Sequence, residues 1–191
     1  MNDSTISPEL REQTRQARNA YLQLSNLGTD HKNQVLLEFA ATLRSNCSRI
    51  LEANALDLVE AEKMVQRGDL SESAYKRVML NEAKVEQMAQ NCESVAKLED
   101  PVGKVLQASQ LDEGLDLYRV SCPIGVVLCI FESRPDVVVQ ISALAVKSGN
   151  AVILKGGSEA KCSNRILAEV LRQTASQCDW MPVNALSLIE T

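Results

Sequence analysis

The sequence lacks an excess of basic residues and any long apolar run, and these two absences exclude several kinds of partner. Its 191 residues carry 20 Lys and Arg against 25 Asp and Glu, a formal net charge of −5. Binders of nucleic acid duplexes or anionic membranes need clustered Lys and Arg, so neither partner is expected. No apolar run approaches the roughly 20 residues of a bilayer span. Residues 1–13 also lack the hydrophobic segment of a signal peptide, and we expect a soluble, cytoplasmic protein.

Paired cysteines and clustered histidines are absent as well. No C-x-x-C pair occurs and His31 is the single histidine, so no metal site of the usual zinc spacing is expected. A chain of this size can bury enough apolar surface without disulfides, and nothing indicates secretion. We interpret all six thiols as small core residues, because no sequence neighbour supplies the base or positive charge that a nucleophilic thiol needs. They belong to Cys47, Cys92, Cys122, Cys129, Cys162 and Cys178.

The first hundred residues show the apolar period of helices. Ser7 and Pro8 form an N-cap and first-turn pair, and we expect this helix to end at Gly28. Asp30 is the expected N-cap of a second helix, whose apolar pattern continues toward Gly68.

Two more helices are expected before the period changes. A short one covers 74–78, and Asn81 is the expected cap of a longer one that ends before Pro101 and Gly103. The longer segment carries an apolar stripe of Val85, Met88, Ala89, Cys92, Val95 and Ala96. Residues 1–103 are therefore predicted to form a helical part of a cofactor-binding domain.

A β-ribbon is predicted in 104–122. The runs 104–109 and 115–120 permit strands, and the sequence Asp-Glu-Gly at 112–114 favours a turn between them. Because both strands would lie at an edge, a partner chain could pair with them.

Residues 123–191 are predicted to form the first half of a Rossmann-like sheet. The continuously apolar segment 125–131 is typical of a strand buried on both faces. A helix at 137–147, a strand at 151–154, a helix at 159–177 and a strand at 185–189 follow it. This order gives an α/β fold with a doubly wound parallel sheet. Since the sequence stops directly after the third strand, we expect an amino-terminal part of a longer protein; a complete small domain is the alternative.

The first strand leads into a turn with Ser133 and Arg134, at the end of the sheet where open α/β sheets bind ligands. An Arg there can bind a phosphate or carboxylate through two hydrogen bonds, and the serine can donate another. The alternative is a local ion pair of Arg134 with Glu132 or Asp136.

The second strand leads into Lys155, Gly156, Gly157, Ser158 and Glu159. Glycines let a ligand approach the backbone, a helix N-terminus favours anions, and the lysine adds a positive charge. The turn matches neither a G-x-G-x-x-G nor a Walker loop. A structural turn with Ser158 as the helix cap is the alternative.

Several segments resemble γ-glutamyl phosphate reductase, also called glutamate-5-semialdehyde dehydrogenase, and the reductase half of pyrroline-5-carboxylate synthase. The most specific is FESRPDVVVQISALAVKSGNAVILKGGSEA at 131–160. Shorter matches are PIGVV at 123–127, Ser163-Asn164, ILEANALDLVEAE at 50–62 and LEDPVGKV at 98–105. The resemblance covers nearly the whole chain.

The resemblance implies an aldehyde-dehydrogenase-like fold and NADPH-dependent reduction of γ-glutamyl phosphate to glutamate 5-semialdehyde, in proline biosynthesis. It also implies a homo-oligomer, with the hairpin in subunit contacts, and glutamate 5-kinase as a functional partner. The family's nucleophilic cysteine lies in a downstream motif that none of the six cysteines here occupies. No catalytic nucleophile is therefore expected in this chain, and the chain alone should be inactive.

The resemblance also suggests roles for individual residues. Ser133 aligns with an oxyanion-binding Asn of the wider aldehyde dehydrogenase superfamily, and Arg134 is placed to hold the anionic substrate. Lys155 matches a lysine near the adenosine ribose, and Glu159 corresponds to a ribose-binding acid, shifted by one position. Ser158 stands where several family members have a basic residue.

Two other functions stay open at this point. The chain could be a catalytically inactive nucleotide-binding or subunit-interaction module that keeps the fold. It could also belong to a related dehydrogenase that acts on another aldehyde.

Overall fold

The computed structural model describes residues 7–178 and 180–190, which form helices, a separate hairpin and a small parallel sheet. In chain order the elements are α1 (Pro8–Leu24), α2 (Thr29–Ser45), α3 (Cys47–Arg67), α4 (Glu72–Val78), α5 (Glu82–Lys97), β1 (Val105–Asp112), β2 (Leu115–Val120), β3 (Val126–Ile130), α6 (Asp136–Lys147), β4 (Ala151–Lys155), α7 (Lys161–Ser176) and β5 (Leu186–Leu188). Short 3₁₀ turns cover Ser158–Ala160 and Val183–Ala185. Among the described helices, none is long and apolar enough to cross a membrane.

The start of α1 is as predicted, but its end and the start of α2 are not. The Ser7 hydroxyl accepts a hydrogen bond from the Leu10 N–H at 3.2 Å, and Pro8 is the first helical residue. The helix ends at Leu24, before Gly28. Gly28 is itself the N-cap of α2, so Asp30 lies inside the first turn and the prediction that it caps the helix was wrong. A carboxylate in a first turn still interacts favourably with the helix dipole.

The apolar pattern that continues beyond α2 belongs to a separate helix. Asn46 ends α2, and α3 starts at Cys47 and ends at Gly68, which adopts a positive φ of 81°. That conformation is easy for glycine and terminates helices. The prediction for Asn81 is confirmed, because its side chain accepts a hydrogen bond from the Lys84 N–H at 2.9 Å. The stripe on α5 packs into the core, with Val95 only half-buried.

The hairpin is present, with a tighter turn than expected. Strands β1 and β2 pair antiparallel from Val105 opposite Val120 to Asp112 opposite Leu115. Glu113 and Gly114 alone form the turn, and Gly114 has a φ of 75°. Almost every residue of both strands is exposed, including Leu117 and Tyr118. The hairpin thus presents apolar side chains to the surroundings.

The second sheet confirms the predicted α/β fold class. Its order is β3-β4-β5 and both pairs are parallel. Helix α1 contacts all three strands, α6 contacts β4, and α7 contacts β5. The central strand β4 is buried along its length except for Lys155. The prediction that the first strand is buried on both faces was wrong, because β3 is an edge strand within the described residues and leaves Leu128 and Ile130 56% and 67% exposed.

One hydrophobic core joins the helices to this sheet. It includes Phe39 of α2, Met88 of α5, Val139 of α6, Leu154 of β4 and Leu171 of α7. The cysteines contribute unevenly to it: Cys92 and Cys178 are buried, and Cys47, Cys129 and Cys162 are half-buried. Cys122 is exposed. The interpretation of every thiol as a core residue was therefore wrong for Cys122, which lies in the loop between β2 and β3.

Candidate active site

The two turns identified in the sequence lie side by side at the carboxyl ends of the parallel strands. Ile130, the last residue of β3, pairs with Lys155, the last residue of β4. One residue further on, the Phe131 N–H donates to the Lys155 carbonyl at 3.0 Å. Because parallel strands end at the same edge, the Ser133 turn and the Lys155 turn face a common region. Open α/β sheets bind their ligands at the carboxyl ends of the strands.

Ser133 and Glu159 connect the two turns directly. The Glu159 carboxylate accepts hydrogen bonds from the Ser133 backbone N–H and, at 3.0 Å, from the Ser133 hydroxyl. Both residues are buried. Ser133 has a φ of 51°, the one positive φ outside glycine within 7–178 and 180–190. A non-glycine residue in this region is uncommon and persists where its surroundings hold it, and Glu159 supplies that support.

Both glycines of the second turn are required by neighbouring side chains of the protein itself. A Cβ at Gly156 would overlap the Asn164 amide and approach the Phe131 ring to 3.2 Å. A Cβ at Gly157 would overlap the Glu159 carboxylate. Gly157 is therefore needed for Glu159 to reach Ser133. The approach of a ligand is the reason expected for these glycines from the sequence, and packing within the protein is a second reason.

The helix after this turn is capped from a distant part of the chain. Ser158 is exposed and does not cap α7, so the alternative that gave it this role was wrong. Instead, the carboxylate of Asp57 on α3 accepts hydrogen bonds from the N–H groups of Cys162 and Ser163, at 2.9 and 2.6 Å. The extra 3₁₀ turn at 158–160 displaces the start of α7 to Lys161, beyond the reach of Ser158.

Asn54, one helical turn before Asp57 on α3, also contacts the start of α7. Its side chain accepts from the Leu80 N–H at 2.8 Å and donates to the Val78 carbonyl at 2.9 Å and to the Ser163 hydroxyl at 3.0 Å. Sequence reasoning missed both residues. The signal was present, because Asn54 and Asp57 occupy the buried face of α3 with Ile50 and Ala61, where polar side chains need partners.

The region around the second turn fits an anionic nucleotide cofactor. Lys155 is half-buried at the strand end, and Lys161 begins α7 next to Gly156 and Gly157. Neither lysine forms an ion pair with any carboxylate among the described residues. The buried Asn164 side-chain oxygen, which lines the same small cleft, has no hydrogen-bond partner in the described part of the chain. Uncompensated ammonium groups and a free acceptor beside a helix N-terminus suit phosphate and ribose hydroxyl groups.

Arg134 follows Ser133 and forms an ion pair with Asp136 at 2.9 Å. This hydrogen bond raises the pKa of the Arg134 guanidinium. The ion-pair alternative is thus confirmed with Asp136 as the partner. The guanidinium remains exposed and lines a groove that also receives Arg77 of α4 and Lys84 of α5. An arginine has five N–H donors, so one carboxylate partner leaves most of them available to a ligand.

Three of the thiols, those of Cys47, Cys92 and Cys162, show no sign of activation. Burial raises the pKa of Cys47 and Cys162, and it raises the pKa of Cys92 to about 12. A nucleophilic cysteine needs the opposite shift, toward the thiolate. Groups of three or more metal-ligating side chains are also absent from the residues that the structure describes.

The fold has clear counterparts among known proteins. The model of the aldehyde dehydrogenase family matches residues 5–189. The chain belongs to the aldehyde dehydrogenase family.

Within that family, the similarity to γ-glutamyl phosphate reductases is confirmed. The chain is 46% identical over 192 residues to the enzyme named γ-glutamyl phosphate reductase from Haloquadratum walsbyi, covering 100% of this chain and 41% of the relative. The crystal structure of γ-glutamyl phosphate reductase from Saccharomyces cerevisiae superimposes with a TM-score of 0.90 at 40% identity, covering 97% of this chain and 47% of that one. The enzyme from Thermotoga maritima gives a TM-score of 0.88 at 37% identity, with coverage of 96% and 43%. The chain spans less than half the length of each of these relatives.

Proposed function

We propose that this chain is the amino-terminal part of an NADPH-dependent γ-glutamyl phosphate reductase, which forms glutamate 5-semialdehyde for proline biosynthesis. The observation that carries the proposal is the meeting of the Ser133 and Lys155 turns at one sheet edge, linked through Glu159. The similarity to three γ-glutamyl phosphate reductases over nearly the whole chain supports the choice of reaction.

In this proposal the two turns hold different reactants. Lys155 and Lys161 hold the adenosine ribose and phosphate groups of the cofactor, which supplies the hydride. Ser133 is the residue that binds the developing oxyanion. Because its N–H and its hydroxyl both donate to Glu159, one of these hydrogen bonds is exchanged for the oxyanion when the substrate reacts. Arg134 holds an anionic group of the substrate. The nucleophilic thiol of the reaction is not among the six cysteines of this chain.

The reverse reaction provides the most direct test. In that direction the enzyme combines L-glutamate 5-semialdehyde with inorganic phosphate, and the hydride passes to NADP⁺ as the acyl phosphate forms. We expect the complete gene product to reduce NADP⁺ only when both the semialdehyde and phosphate are present, which absorbance at the NADPH wavelength measures. The same assay on residues 1–191 alone should show no turnover.

Three results would contradict parts of this proposal. Turnover with other aldehydes but not with glutamate 5-semialdehyde would favour a related dehydrogenase. NADPH binding without turnover of any aldehyde by the complete gene product would favour an inactive nucleotide-binding module. Turnover by residues 1–191, abolished by replacing one of its cysteines, would place the nucleophile within this chain.

A further inference from the structure

A cationic groove lies beside the Ser133 turn, between α4, α5 and α6. It encloses about 420 Å³, a volume in the range of small-molecule sites. Arg77, Lys84 and Arg134 line it, with the Met88 side chain as part of its apolar wall. Asp136 is the single carboxylate among the lining residues. We call this feature the cationic groove.

The positive charge of the cationic groove is only partly compensated. Asp136 pairs with Arg134. Arg77 has no carboxylate within ion-pair distance in the described part of the chain, and the Lys84 ammonium donates only to the carbonyls of Met79 and Lys76. Three cations thus face one carboxylate in a chain whose formal net charge is −5. Like charges held together raise the local potential and attract an anion.

The position of the groove assigns that anion to the substrate rather than to the cofactor. Arg134 is covalently next to Ser133 and contributes its guanidinium to the groove. The cofactor turn does not line it, and Lys161 lines a separate small cleft with Gly156 and Gly157. A small substrate could therefore extend from Ser133 into the groove while the cofactor occupies the second turn.

The backbone that carries Arg77 is fixed before any ligand binds. Asn54 is buried and holds both the Val78 carbonyl and the Leu80 N–H, on either side of the bend that follows α4. The Lys84 ammonium fastens the same bend through the Met79 carbonyl. A backbone that is fixed in advance loses less conformational entropy when a ligand binds, so the bend holds the main chain of Arg77 in place beside the groove.

From these observations we propose that Arg77 and Lys84, acting with Arg134, bind an anionic group of the substrate, either its carboxylate or its phosphate. This assignment rests on the proposed reductase function and adds two residues that the sequence analysis did not identify. Guanidinium groups bind both oxyanions through paired hydrogen bonds, and an ammonium group binds them as a point charge.

Kinetics of the reverse reaction distinguish whether the groove binds the carboxylate or the phosphate of the substrate. In the complete gene product, Arg77→Gln should raise one Michaelis constant about tenfold or more, as expected when a charge-assisted hydrogen bond is lost. A rise in the KM for L-glutamate 5-semialdehyde assigns the groove to the carboxylate, and a rise in the KM for inorganic phosphate assigns it to the phosphate. The KM for NADP⁺ should stay within about twofold. Arg77→Lys should recover part of the loss, because it restores the charge.

Lys76 provides a matched control. It neighbours Arg77 on α4 but lines a different groove, with Glu62 and Tyr75, so Lys76→Gln should leave both Michaelis constants unchanged. Lys84 is tested with two separate variants, Lys84→Arg and Lys84→Met, because its ammonium also supports the bend. Melting temperatures show whether a variant has lost its fold and not only its affinity for the ligand.

A second measurement keeps the proposal testable without turnover. Calorimetric titration of the complete gene product with inorganic phosphate and, separately, with L-glutamate should show binding of at least one anion that Arg77→Gln weakens and Lys76→Gln does not. If the wild-type protein shows no turnover, the reductase function is overturned. The titration then decides by itself whether the cationic groove binds an anion. Unchanged Michaelis constants and unchanged anion binding in folded Arg77→Gln would overturn the cationic groove as an anion site.

Discussion

Glu159 holds Ser133 in a left-handed conformation by accepting hydrogen bonds from both its backbone N–H and its hydroxyl. This contact joins the loops that follow two neighbouring strands, 26 positions apart in the chain. The resemblance assigned Glu159 to the cofactor ribose and Ser133 to the oxyanion. In the structure the Glu159 carboxylate contacts the serine, so we expect replacement of Glu159 to act first on the conformation of Ser133.

Replacement of Glu159 distinguishes a role at Ser133 from a role at the cofactor. Glu159→Ala leaves two buried donors without an acceptor, and we expect the free energy of unfolding to fall by about 1–3 kcal/mol. If Glu159 acts through Ser133, kcat should fall and the cofactor KM should hardly change. The measurement is steady-state kinetics of the complete gene product together with thermal unfolding.

A double-mutant cycle supplies the control for this experiment. Because Ser133 and Glu159 act as one unit, the double variant Ser133→Ala with Glu159→Ala should lose less free energy of unfolding than the two single variants lose together. Additive losses would show that the two side chains work independently. A raised cofactor KM with unchanged kcat would restore Glu159 to the ribose-binding role.

Lys155 is expected to contribute to cofactor binding and not to stability. Lys155→Ala should raise the KM for NADPH, with a smaller effect on NADH, because only NADPH carries the extra phosphate for the ammonium to meet. The melting temperature should not change, since the lysine forms no ion pair with any residue between 7 and 190 that the structure describes. Lys63→Ala, on the exposed face of α3, is the control, because it removes a lysine far from the turn and breaks only an exposed ion pair with Glu60. A lower melting temperature with unchanged cofactor constants would make Lys155 a structural residue.

The exposed hairpin predicts self-association. Strands β1 and β2 expose Leu117, Tyr118 and other apolar side chains on both faces, and unpaired strand edges bind other chains. We expect the complete gene product to be at least a dimer by light scattering at micromolar concentration. Leu117→Lys should shift it toward the monomer, whereas Glu113→Lys in the turn should not. A wild-type monomer would contradict the prediction.

The buried ion pair of Lys32 and Asp100 predicts sensitivity to acid. The ammonium lies 3.0 Å from the carboxylate, and the side chains are only 2% and 14% exposed. Burial acts to raise the pKa of Asp100, but hydrogen bonds from the Val102 N–H, Lys32 and Thr29 outweigh it and hold the pKa below its usual 3.8. The stabilisation is therefore complete above pH 3.8 and is lost as the pH falls through the lowered folded value.

Asp100→Asn tests this pair. It leaves a buried ammonium without its counter-charge, and we expect the free energy of unfolding at neutral pH to fall by about 3 kcal/mol. The variant should also lose less stability than the wild type on acidification below pH 3.8. Glu60→Gln, which breaks an exposed ion pair with Lys63, should have little effect at either pH. Equal acid sensitivity of Asp100→Asn and wild type would exclude Asp100 as the responsible group.

Much of the architecture could be read from local patterns. The caps at Ser7 and Asn81, the hairpin, and the alternation of strands and helices after 123 are encoded by residues close in sequence. The fold class followed from this order, because apolar period and turn residues act over one or two helical turns. The errors also have local causes. Asp30 lies two residues after Gly28, the N-cap of α2, and the composition of 125–131 did not reveal that β3 is an edge strand among the described residues.

The sequence by itself determined the order of the elements, the family resemblance, and the two turns that contain Ser133 and Lys155. Only the tertiary structure decided how those turns are supported. Asp57 caps a helix that begins more than a hundred residues later, and Asn54 joins that helix to the bend near Arg77. Arg77 and Arg134 line one groove between separate helices. These contacts depend on how α3, α4 and α7 pack, and residue periodicity records which face of a helix is buried but not which partner covers it.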